Sequence, residues 1–165
     1  MRIKNLLRSV LMLLLVVGTL PAMAAFKDIK IDLNSLLTSE ETVQGTALSF
    51  GLAVADDGTV SRVAADEPTA NAVVSGTYHS DHGWTGSQMV VAVDGPVKIG
   101  IGNCTYSGTS KAKATATDGT VVDITTEQTC YKNDQSVSYG YYNGEATTLT
   151  IKGSEYNRYF SVEAV

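Results

Sequence analysis

The sequence predicts an all-β protein, an antiparallel β-sandwich of jelly-roll type with about ten strands, and three observations lead there. Short segments rich in Val, Ile, Thr and Tyr alternate apolar with polar residues. The dipeptides Asp57-Gly58, Asp94-Gly95, Asp118-Gly119 and Asn143-Gly144 fall between such segments and offer the positive-φ positions that tight hairpins use. Beyond the N-terminal leader, no stretch keeps a 3.6-residue apolar period over the ~10–12 residues of an average helix.

The first element is an export signal. Arg2, Lys4 and Arg8 form a positive start, Val10 to Leu20 an apolar run, and Ala22-Met23-Ala24 a small-residue cleavage site. The run is about half of the ~20 residues that a membrane-spanning helix needs, and Pro21 ends it. Residues 1–24 are therefore read as a signal peptide and 25–165 as a single domain, secreted or periplasmic, with no membrane insertion after cleavage. No cysteine follows the cleavage site to carry a lipid anchor.

The mature chain of 141 residues is long enough to bury one sizeable core. Loss of the leader leaves 9 Lys and Arg against 17 Asp and Glu, a net charge of −8. That balance argues against nucleic acid or anionic lipid as a partner.

The strands follow in order. Candidates are Asp28 to Leu33, Thr46 to Val54, Thr59 to Ala64, Ala72 to Tyr78, Gln88 to Val93 and Val97 to Gly102. Then come Ala112 to Thr117, Thr120 to Thr125, Ser136 to Tyr142, Thr147 to Lys152 and Arg158 to Glu163. Asn34 to Thr42 has room for one or two helical turns. An open sheet this wide would leave an apolar face in water, so two packed faces are expected, with a closed barrel as the alternative. Cys104 and Cys130 form an even pair in an exported chain and suit a disulfide. Closing a loop of this size stabilises a fold by about 3 kcal/mol in the chain-entropy model.

Chemistry concentrates in two places. Tyr78-His79-Ser80-Asp81-His82-Gly83-Trp84 holds both histidines and the single tryptophan, on an expected loop leaving a strand. His79, Asp81 and His82 could offer polar contacts to a ligand and Trp84 a stacking surface. The His-x-Asp-His spacing matches no established metal-ligand pattern, so no metal and no cofactor are assigned. Catalytic residues are not assigned either. No Gly-x-Ser-x-Gly elbow surrounds Ser80, and Asp81, Glu127 and Glu145 stand in no distinguishing context. A metal-dependent hydrolase ranks third among the readings.

The second place is the stretch from Tyr106 onward, where seven of the eight tyrosines lie. A tyrosine offers a sugar ring an apolar face and a hydroxyl. In the Ser136 to Tyr142 strand, Tyr139 and Tyr141 share one face and Tyr142 points to the other. These residues, with Trp84, are the expected glycan-stacking set. The competing use of tyrosine is plain cross-strand packing.

Several segments together carry a family likeness. They are Gly95-Pro-Val-Lys-Ile-Gly-Ile-Gly-Asn-Cys104-Thr-Tyr, the Asp118-Gly hairpin, Thr129-Cys-Tyr131, Gly144-Glu-Ala-Thr-Thr-Leu-Thr-Ile151 and Tyr156-Asn-Arg-Tyr-Phe-Ser-Val-Glu163. With Tyr78-His-Ser-Asp-His-Gly83 upstream, roughly residues 70 to 165 resemble the β-sandwich accessory domains of secreted polysaccharide-processing enzymes, pectin-acting lyases and esterases, of Bacteroides-like bacteria. The resemblance implies a non-catalytic, carbohydrate-binding-like module with a polysaccharide or oligosaccharide as partner. An envelope protein that binds another protein through a sandwich face or edge strand is the alternative.

Overall fold

The computed structural model describes residues 23–104, 110–126, 136–153 and 155–165. Residues 1–22 of the expected signal peptide lie outside the described residues. So do Cys130 and the side chain of Cys104, and with them the expected disulfide.

Among the described residues all regular structure is strand apart from two 3-10 turns, Leu33–Leu36 and Ser39–Glu41, in the segment expected to hold one or two helical turns. The first strands are β1 (Ile29–Asp32), β2 (Ala47–Val54), β3 (Val60–Val63), β4 (Ala72–His79), β5 (Gly83–Val93) and β6 (Val97–Cys104). They are followed by β7 (Ser110–Ala116), β8 (Val121–Thr126), β9 (Ser136–Tyr142), β10 (Thr147–Lys152) and β11 (Tyr156–Ala164). Each of the eleven segments read from alternation is a strand, and all the pairings are antiparallel.

One run of neighbours is β3-β2-β4-β5-β10-β7-β8, and a second ladder is β9-β6-β11-β1. β5 joins them. Its C-terminal half, Gln88 to Val93, pairs with β10, while Trp84 and Thr85 pair with Asn157 and Tyr156 of β11. Gly86, at φ +58°, lies between the two stretches, a backbone position that costs a non-glycine residue about 1–2 kcal/mol. The sheet turns there, and the second ladder lies over the first.

The apolar alternation then points inward from both layers. Phe50, Leu52, Val74, Met89, Val91, Leu149 and Ile151 of one layer meet Ile29, Ile99, Ile101, Phe160 and Val162 of the other in one buried cluster. At the far side β8 and β9 run next to each other without a hydrogen-bonded ladder among the described residues, so the sandwich does not close into a barrel. The side chains of Val122 and Ile124 reach across to Gly140 at this seam.

Two hairpins are wired alike. In Ala55-Asp56-Asp57-Gly58-Thr59, Gly58 N–H donates to Ala55 and Ala55 N–H to Thr59. Ala116-Thr117-Asp118-Gly119-Thr120 repeats those bonds, and in both the aspartate Oδ1 accepts from the threonine N–H at 2.9 Å. Gly58 and Gly119 take φ near +90°, as a type I turn closed by a left-handed residue requires. Those bonds hold the Asp57 and Asp118 carboxyls below the usual carboxylate range. The Asp94-Gly95 and Asn143-Gly144 turns do not use a positive-φ glycine.

Outside the sheets, Arg62 of β3 makes a two-pronged ion pair with Glu41, at 2.7 and 2.8 Å, and its guanidinium lies 4.2 Å over the Phe50 ring. Arg62, aided by the Thr38 N–H, pulls the Glu41 carboxyl from 4.5 down to about 2. A depressed carboxyl stabilises the fold above its ordinary value and loses that contribution as pH falls through the folded one. The stability gap between wild type and Glu41→Gln is therefore expected to shrink between pH 4.5 and 2, as read by urea unfolding across that window. A constant gap would refute the pairing.

Candidate functional site

The His79 to Trp84 segment leaves β4 at His79 by a turn, as expected, with Ser80 and Asp81 exposed, but it is not loop throughout. Its second half opens β5, and Trp84, at 0% exposure, is the largest fully buried side chain of the core. The indole N–H donates to Asn34 Oδ1 at 2.9 Å, and the ring meets Phe50 edge-on at 5.9 Å. The expectation of an exposed stacking tryptophan is corrected, because the indole has no face in water. Asn34 belongs to the first 3-10 turn, so Trp84 also fastens that turn to the sheet.

His82 is buried at 5% exposure and His79 is partly buried. Their rings stack at 5.3 Å, and Tyr156 of β11 packs against them at 4.8 and 5.2 Å. Asp81 is exposed, and its N–H donates to His79 Nδ1 at 3.4 Å. Ser80 is tied to Gln44, whose Oε1 accepts its N–H at 2.9 Å. The segment thus acts as a cap in which the rings cover each other. Among the described residues no three His, Cys, Asp or Glu side chains gather as a metal would need.

The β9 strand presents a different surface. Tyr139 is 49% and Tyr141 53% exposed, on one face, while Tyr142 turns inward as the alternation requires. Tyr142 is buried and its hydroxyl donates to the Glu145 carbonyl at 3.0 Å, which corrects its assignment as a stacking surface. The Tyr139 ring lies over Gly100 of β6, directly opposite it in register, where a side chain would collide with it. Lys98 Nζ sits 4.0 Å from the centre of that ring. Among the described residues Tyr141 has no such cation or ring contact.

Tyr141 is also one wall of an open groove of about 740 Å³. The groove lies between the tips of the β7–β8 and β9–β10 hairpins, at the seam where β8 and β9 run unpaired. Its lining mixes Val121, Val122, Tyr141 and Tyr142 with Thr117, Asp118, Thr120, Asn143, Glu145 and Thr147. One aromatic face beside hydroxyl, amide and carboxylate groups is the chemistry that a sugar ring and its hydroxyls can use. Asp118 gives Oδ1 to its own turn, the Thr117 hydroxyl donates to the Thr148 carbonyl and Thr147 Oγ1 accepts from the Thr117 N–H, so Asn143, Glu145 and the Thr120 hydroxyl remain the freer polar groups.

The sequence pointed to Tyr139 and Tyr141 but not to the groove beside them. Glu145 was visible only as an undistinguished carboxylate. The Asn143-Gly144 turn two residues beyond Tyr141 is the signal that could have found it, because a turn at a strand end sets its polar tip beside that strand's last exposed ring.

No family model, curated protein or solved structure matches the chain.

The burial of Trp84 carries a clear consequence. Trp84→Ala is expected to lower stability by about 3–5 kcal/mol in chemical denaturation, the cost of emptying a large aromatic site in a core. A loss under 1 kcal/mol would contradict the packing.

Proposed function

We propose that this domain is an exported, non-catalytic carbohydrate-binding module. Its ligand, a polysaccharide or oligosaccharide, lies across Tyr139 and Tyr141 and into the groove between the two hairpins. The observation that carries the reading is the pair of half-exposed tyrosines on one face of β9, next to a groove lined with threonine, asparagine and glutamate.

The physical case has two parts. A flat aromatic ring fixed by packing loses little conformational freedom when it takes up a ligand, and Tyr139 packs on Gly100 of the neighbouring strand. A sugar stacking on Tyr139 would release Lys98 from the ring, leaving its ammonium free to donate to the ligand's oxygens. The leader sequence supports a secreted or periplasmic setting, where a polymeric glycan is met outside the cytoplasm. That setting also suits a Cys104–Cys130 bridge.

Affinity-gel electrophoresis against a panel of plant and host polysaccharides tests this. The mature protein is expected to be retarded by at least one of them. Tyr141→Ala and Tyr139→Ala should each weaken retention about tenfold, equivalent to about 1.4 kcal/mol, with the unfolding midpoint little changed. Retardation by none of the polysaccharides, or retention untouched by both substitutions, would overturn the reading.

A further inference from the structure

On the outer face of the other layer, Lys113 of β7 stands directly opposite Lys152 of β10 in the ladder. Like charges in that position repel and lower stability. The arrangement is the more unusual in a chain whose net charge is −5. Asp123 of β8 faces Lys113 from the other side, yet among the described residues neither lysine is held in an ion pair or a hydrogen bond. The two ammonium groups border a shallow trough of about 360 Å³ whose remaining lining includes Thr115, Thr117, Thr148 and Thr150.

We propose that this trough binds the anionic groups, carboxylate or sulfate, of an acidic polysaccharide. The Thr117 hydroxyl donates to the Thr148 carbonyl, and two free ammonium groups with the hydroxyls of Thr115, Thr148 and Thr150 offer donors to such an oxyanion, whose charge would cancel the repulsion that the ladder imposes. The trough shares Thr117 with the groove beside Tyr141. The two therefore form one track, running along β10 for about 17 Å from Thr147 to Lys152 at the usual strand rise. An extended polymer seated in the groove continues onto the lysine pair. The identity of the polymer rests on the carbohydrate reading, and its charge on the lysines.

The test titrates the mature protein with alginate, dextran sulfate, unmodified dextran and polyaspartate, at low and moderate salt. Alginate or dextran sulfate is expected to bind at least about tenfold more tightly than dextran, and less tightly as salt screens the charges. Whichever of the two binds identifies carboxylate or sulfate as the group. Lys113→Gln and Lys152→Gln should each lose about tenfold while melting no lower than wild type, and Lys30→Gln, on β1 of the other layer, should lose nothing. Binding that fails in Lys113→Gln but survives Tyr141→Ala supports the lysine site and counts against the tyrosine platform. The reverse pattern overturns the lysine site and leaves the platform standing. Equal affinity for dextran or for polyaspartate also overturns the proposal.

Discussion

β5 pairs with β4 along one edge but divides its other edge between two partners, and the rest of the architecture follows from that division. From Gln88 onward it is a central strand of the larger layer, while Trp84 and Thr85 pair with the start of β11. A flat strand could not serve both. Gly86 supplies the turn between them, and the Trp84 ring fills the space inside the bend with its N–H satisfied by Asn34. An unsatisfied indole N–H in that position would cost about 1–3 kcal/mol, so the bond to the 3-10 turn matters as much as the ring's apolar area. With the corner fixed, β11 lies over the first layer and brings β1, β6 and β9 with it.

That placement decides which aromatic residues face water. The inward positions of β9 are filled by Tyr142 and by Gly140, against which Val122 and Ile124 pack, so Tyr139 and Tyr141 are left on the outside. The unpaired seam between β8 and β9 leaves space between two hairpin tips, and Tyr141 stands at its border. The candidate binding surface is thus a by-product of an unclosed sandwich. A continuous ladder from β8 to β9 would have removed the groove.

Much of this was legible in the sequence because strand alternation has a period of two and leaves a direct trace. The eleven strands, and the placing of Tyr139 and Tyr141 on one face of β9 with Tyr142 on the other, follow from it; which of those faces is inward did not, and Tyr142 was counted with the stacking set for that reason. The opening of β5 was not legible. Gly83 and Gly86 interrupt the alternation around Trp84, and polar neighbours on the other side gave the segment the composition of a loop. The start of β11 was missed for a related reason, since Tyr156 and Asn157 pair with β5 and β6 at a point where the register shifts. Neither the groove nor the lysine pair could be read locally. Each is built from residues of two hairpins or two strands distant in the chain, and only the topology brings them together.

Trp84 is the single tryptophan, so its fluorescence reports on the corner alone. In the folded protein its emission should be blue-shifted and should resist quenching by acrylamide until urea unfolds the chain. An emission maximum typical of hydrated indole, quenched as freely before unfolding as after it, would contradict a core closed over β5.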